Sequence, residues 1–236
     1  MTLPLYLAMT AVEMSGYTQP LQHPAYMACH FSPYSTGLSN MPEQLPEGAM
    51  LILNDRIPAQ GHDAGRITEQ LQYLCQSLSV DSLLLDLQRQ PSDETCYIVE
   101  EIVNSLDLPL AASEAYAADF NCAVFLSPPP MHIPLKEHIA PWSKKEIWLE
   151  VATDCGIYTI TEDTSIYHPG PVNNTASACP QLHCHYGIHK DHGNLLISLQ
   201  RCTEDIQDLL QEAKSLNIQR AIGLYQQLSG INYQNV

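Results

Sequence analysis

Apolar runs of four to five residues recur along the chain, at 5–9, 25–29, 50–53, 83–87, 108–112, 123–126, 147–151, 195–199 and 221–224. Their side chains are apolar at successive positions rather than at every second one. That is the pattern of strands covered on both faces, which parallel sheets require. Helical periodicity lies between some of these runs. Residues 66–78 place Ile67, Leu71, Leu74 and Leu78 on one face, and 93–106 do the same with Ile98, Ile102, Val103 and Leu106. Ser92 is placed to cap the second helix, with Asp93 and Glu94 suited to its positive start. A third helix, 204–216, is expected behind a Thr203 cap, with Ile206, Leu209, Leu210 and Ala213 inward.

Strands alternating with helices imply βαβ units and a parallel sheet. Counting from Ala25 gives eight strands, the number that closes a barrel. The expected fold is an α/β chain forming an irregular (β/α)8 TIM-like barrel, with an extra N-terminal strand and a β-hairpin excursion. An open doubly wound sheet is the alternative. The expected layout is a single barrel domain over 1–236, in which 1–24 is an N-terminal extension and 153–193 a hairpin and loop excursion. The hairpin is read from the turn Asp154-Cys155-Gly156 before a second apolar run. The loop is read from the Pro, Asn, Gly and His content of 168–193.

Charge narrows the ligands. The 236 residues carry 26 acidic and 10 basic side chains, a formal net charge of -16. Such a field repels duplex nucleic acid and anionic membranes, so neither is expected as a partner, whereas a neutral sugar is unaffected. The eight cysteines form no CxxC pair, residues 1–9 contain no basic residue, and no apolar run reaches about 18 residues. A reducing, cytoplasmic location is therefore expected, and the sequon Asn173-Asn174-Thr175 is expected to be inert. Neither GxGxxG, GxxxxGK[ST] nor GxSxG occurs, so no cofactor is expected.

In a barrel, functional side chains follow the C-terminal ends of the strands. This rule selects His30 and Ser32, then Asn54, Asp55 and Arg56, then Asp86, Gln88 and Arg89. It continues with Ser113, Glu114, Ser127, Asp154, Gln200, Arg201, Tyr225 and Gln226. Carboxylates, amides and guanidinium groups of this kind suit a hydroxyl-rich ligand.

The run Asp81-Ser82-Leu83-Leu84-Leu85-Asp86-Leu87-Gln88 resembles the fourth-strand signature of glycoside hydrolase family 18, D-G-x-D-x-D-x-E, the chitinase-like barrels. Asp81 matches the first Asp, Asp86 the last Asp, and Gln88 stands where the catalytic Glu would be. Ser82 replaces the Gly and Leu84 the middle Asp. Counted from Ala25 this strand is the third, and it becomes the fourth only if run 5–9 is strand one. In that family the Glu protonates the glycosidic oxygen, while the neighbouring Asp orients the substrate's acetamido group. Glutamine has no proton to give at neutral pH, so this step is lost at position 88, about 10²–10⁴-fold in rate.

The resemblance thus implies a barrel that binds a carbohydrate or similar small polar ligand without family-18-type catalysis. Gln88, Arg89, Asn54, Arg201 and Tyr225 are its candidate ligand-binding residues. The alternatives are an active glycoside hydrolase with a relocated acid, for which Asp86, Glu114 and Asp55 are the candidates, and a structural or assembly protein. The run from His183 to His192 crowds ligand types together, and His183 and His185 share one strand face. Its spacing matches no zinc motif, so no metal is favoured and these two are only weak candidates.

Overall fold

The computed structural model describes residues 3–17, 23–161, 164–173, 175–192 and 194–229. Eight parallel strands close a barrel. In chain order they are β1 (Leu5–Met9), β2 (Pro24–Phe31), β4 (Met50–Asn54), β5 (Ser82–Asp86), β6 (Leu110–Ser113), β7 (Ala123–Leu126), β8 (Ile147–Glu150) and β14 (Arg220–Leu224). Closure is made by β1, which pairs in parallel with β14 on one side and β2 on the other. A two-residue strand, β3 (Leu38–Ser39), lies antiparallel outside β2.

Two expectations change. Run 5–9 is not an extra strand but the first barrel strand, so 1–24 is no extension. Run 195–199 leaves the barrel and belongs to β13 (Asn194–Arg201). This strand sits in a separate five-stranded antiparallel sheet with β9 (Asp154–Ile160), β10 (Ser165–Pro169), β11 (Ser177–Cys179) and β12 (Cys184–Asp191). The excursion is therefore a sheet reaching to Arg201, not a hairpin and loop ending at 193. It is inserted between the seventh barrel strand and the next helix. With β1 counted, β5 is the fourth strand, the position that the resemblance requires.

Strand alternation makes two apolar layers. Tyr6, Ala8, Ala25, Met50, Ile52, Leu84, Ala111, Ala123, Phe125, Trp148 and Ile222 fill the barrel interior. The alternate residues, such as Leu51, Leu53, Leu83, Leu85 and Leu149, face the helices. There they meet Ile67, Leu71 and Leu74 of α2 (Ala64–Ser77), Ile98 and Ile102 of α3 (Asp93–Ser105), and Ile206, Leu209 and Leu210 of α6 (Thr203–Ser215). Ser92 caps α3 by accepting the Thr95 N–H at 3.2 Å, as expected, a contact of about 1 kcal/mol. The α6 cap is Cys202 instead of Thr203, because the Asp205 carboxylate accepts the Cys202 N–H at 2.8 Å. Only the short α4 (Glu114–Ala117) fits between β6 and β7, while α1 (Ala11–Gly16) follows β1, α5 (Leu135–Ile139) follows β7 and α7 (Tyr225–Leu228) follows β14.

The barrel's N-terminal end is closed by a polar plug. Asp81 accepts from the Tyr6 hydroxyl and from Arg220, both at 2.6 Å. The Arg220 guanidinium stacks 4.8 Å from the Trp148 ring. Burial pushes the Asp81 carboxyl up, but the bonds from Tyr6 and Arg220 outweigh it and hold it below the ordinary range. Burial and the same bond push the Tyr6 hydroxyl up to about 12. All eight cysteines are free thiols. Among the described residues no helix is long and apolar enough to cross a membrane. The sequon's Asn174 lies outside the described residues.

Candidate functional site at the C-terminal barrel face

A cleft of about 490 Å³ opens at the C-terminal ends of the strands. Its floor is apolar, built from Ala8, Met27, Ile52, Leu84, Phe125 and Ile222. The polar groups above it are Thr10, His30, Asn40, Asn54, Asp86 and Glu150, with Arg56 at the edge. A shallower recess of about 350 Å³ shares Asn54, Arg56 and Asp86 with the cleft and adds Asp55, Gln88 and Arg89. An apolar floor with a few convergent polar groups is the usual form of a small-ligand site.

Among the described residues, Asp86 and Glu150 are the two carboxylates that line the cleft. Each ends an inward-facing series, Ser82-Leu84-Asp86 on β5 and Trp148-Glu150 on β8, so the two-residue strand period aims both into the barrel mouth. Burial raises the Asp86 carboxyl; the Gln88 amide opposes this by donating to it at 2.5 Å, and the Asp55 charge adds to it. Burial, then the nearby Asp86 charge, pushes the Glu150 carboxyl up to about 7. A pair of carboxyl groups whose surroundings hold one of them protonated near neutrality has the electrostatics of an acid and its charged partner.

The residues around them hold the frame. Asn54 donates to the Met27 and Cys29 carbonyls, both at 3.0 Å. His30 faces the Phe31 carbonyl with Nδ1 at 2.7 Å, so Nδ1 carries the proton and Nε2 accepts from the Asn40 amide at 3.1 Å. Asp55 is buried, and its two oxygens accept the Gln88 and Arg89 backbone N–H groups at 3.0 and 2.7 Å. Both oxygens are thus occupied in fixing the turn that carries Gln88, which gives Asp55 the geometry of a positioning residue. Arg89 donates through Nε to the Asp55 carbonyl at 2.9 Å.

The structure therefore brings Asn54, Asp55, Asp86, Gln88 and Arg89 to one rim, and it leaves five other candidates outside the cleft lining. Glu114 opens α4 and accepts from Ser127 at 3.3 Å. Tyr225 packs edge-on against Tyr17, ring centres 5.5 Å apart. Arg201 is 2% exposed, and its three guanidinium nitrogens donate to the carbonyls of His183, Pro129 and Leu182 at 3.1, 2.8 and 3.2 Å. It clamps the inserted sheet to the loop after β7 and has no donor nitrogen left unused. His183 ends the turn before β12 in a left-handed conformation and His185 lies in β12, so the two do not share a strand face and do not act as a pair. His183 bonds Glu212, whereas His185 Nδ1 meets Asp205 at 3.1 Å.

Glu150 is absent from the sequence-derived candidates. Its signal was the parity of β8: with Trp148 inward, Glu150 two residues on is inward too. The apolar Val151 that follows extends the run to 147–151, so the residue selected beyond the strand end was Asp154.

No protein-family model and no curated protein sequence matches the chain. Solved structures do. A glycoside hydrolase family 18 N-acetylglucosaminidase from Paenibacillus barengoltzii superposes with a TM-score of 0.62 at 12% identity, covering 100% of both chains. The spore cortex-lytic enzyme SleL from Bacillus cereus gives 0.61 at 10% identity, covering 99% of this chain and 72% of its own. The class V chitinase from Nicotiana tobaccum gives 0.55 at 10% identity, covering 94% and 93%. At these identities the likeness is one of fold. With β5 as fourth strand and Asp86 at its inward end, the chain is a (β/α)8 barrel similar in fold to these structures.

Proposed function

We propose that the cleft binds a carbohydrate and that Gln88 has no part as a proton donor. The observation that carries this reading is the side chain at position 88. It stands two residues beyond Asp86, where the family signature has its acid, and it donates its amide to Asp86. A glutamine there keeps the hydrogen-bonding shape of a glutamate and removes its chemistry. The fold likeness supports the ligand class. A mutant of the Nicotiana chitinase with glutamine in place of a glutamate is described in complex with NAG4, and a Cycas revoluta family 18 chitinase carrying a similar change with (GlcNAc)4.

Calorimetric titration with chito-oligosaccharides and other glycans tests this, with the same samples assayed for cleavage. The expected result is saturable binding without products, abolished by Asp86→Ala. Silence across the panel, or unchanged binding in Asp86→Ala, would overturn it.

A second reading rests on Glu150. Its carboxyl, raised to about 7, is about half protonated at neutral pH and suited to donate a proton to a glycosidic oxygen. Steady release of products that disappears in Glu150→Gln would replace binding by hydrolysis with a relocated acid.

A further inference from the structure

The inserted sheet and the start of α6 place imidazole, thiol and carboxylate donors together, away from the barrel cleft. His185 Nδ1, Cys202 Sγ and an Asp205 carboxylate oxygen all lie within 4.8 Å of one another. Cys202 Sγ is 2.9 Å from Asp205 Oδ2, 4.0 Å from His185 Nδ1 and 3.0 Å from Glu204 Oε2. The group faces a recess of about 390 Å³ whose wall includes Thr175 and Gln200.

We propose that His185, Cys202 and Asp205 bind a zinc-like divalent transition metal, with Glu204 supplying the fourth ligand. A tetrahedral zinc ion sets its sulfur about 3.6 Å from the nitrogen and oxygen ligands, and nitrogen about 3.4 Å from oxygen, given the usual bond lengths. The distances of 4.0, 2.9 and 3.1 Å differ from these by less than about 1 Å, within the reach of side-chain rotation. The donor set also fits the metal's preference, since thiolate and imidazole favour zinc over magnesium or calcium.

The carboxylate is held in place beforehand. Asp205 accepts the Cys202 backbone N–H at 2.8 Å, and a carboxylate has enough lone pairs to keep that bond while binding a metal. Metal binding makes the sulfur–metal bond, breaks the S–H bond and releases its proton to solvent. The divalent charge is then faced by a thiolate and two carboxylates. His183 takes no part, because it is engaged by Glu212.

The test titrates the purified full chain with zinc against a chromophoric chelator, and then with cobalt(II). The expected result is one metal per chain and a thiolate-to-cobalt charge-transfer band. Cys202→Ser should lose the band and weaken zinc by more than about 100-fold, beyond the 10–100-fold of outer-shell changes. Serine is a favoured N-cap residue, so this variant keeps the start of α6. His185→Gln should weaken zinc as much. Cys179→Ser, at another partly exposed thiol of the sheet, should change neither readout. The proposal is overturned if the chain takes up no zinc, or if Cys202→Ser and His185→Gln bind it as the unaltered chain does.

Discussion

Glu150→Gln should make the protein more stable, and only where the carboxylate would be charged. Burial, and then the Asp86 charge, raise the Glu150 carboxyl from the ordinary 4.5 to about 7 in the folded chain. Between these values the folded protein keeps a proton that the unfolded chain releases. Folding therefore becomes less favourable as pH rises through that window, and the penalty is complete above about pH 8. A displacement of this size corresponds to about 3 kcal/mol, an upper figure because the side chain keeps some contact with water. Glutamine has the same shape and no charge to desolvate. At pH 8 the variant should be more stable by up to about 3 kcal/mol, a rise in Tm of roughly 6–12 °C for a chain of this length. At pH 4 the gap should close, since both proteins then carry a neutral side chain. Urea unfolding followed by circular dichroism at half-unit steps from pH 4 to 8 measures this directly. A gap that stays constant with pH would refute the reasoning, because a constant gap reports packing and not charge.

Three further outcomes follow from the geometry. Asp55→Asn removes a charged acceptor from two backbone N–H groups and should cost about 2–4 kcal/mol in chemical denaturation, with glycan binding weakened through displacement of Gln88; a variant as stable as the parent would contradict the positioning role. Arg201→Ala leaves three carbonyls without their donors and should cost at least about 3 kcal/mol locally. Amide exchange should then quicken in β12 and β13 while the barrel strands stay protected. Gly223→Ala would place a methyl group 2.6 Å from the Val151 carbonyl oxygen and 2.2 Å from a Leu228 methyl. The carbonyl is backbone and cannot swing aside, so thermal unfolding should occur several degrees lower.

The barrel was legible because its strands are apolar on both faces, and α2 and α3 because their periodicity and the Ser92 cap agree. The motif on β5 was legible as a sequence, and its rank as fourth strand became clear only with β1 in place. What misled the count was that 5–9 and 195–199 are both five-residue apolar runs. Such a run carries no mark of whether its neighbours are parallel barrel strands or antiparallel partners, and the pairing of Leu195 with Ile160 is set by long-range packing. The site was partly legible for a related reason. Chemistry at strand ends can be read, as Asp86 was, but the partner of a side chain cannot. Asp55 and Arg201 resemble ligand-binding groups until their oxygens and nitrogens are found engaged with distant backbone. Glu150 was hidden by one apolar residue.

Closure through β1 also has a consequence in time. Tyr6 and Arg220, which meet at the barrel floor, are 214 positions apart. At synthesis rates of 5–20 residues per second, β14 emerges roughly 10–40 s after β1. For that interval Leu5–Met9, whose residues are all buried in the finished barrel, has only one of its two neighbours. An unpaired apolar strand is a template for association with other chains. The nascent protein therefore spends its longest vulnerable period waiting for its last strand, and its yield in a cell should depend more on chaperone protection during translation than on the stability of the completed fold.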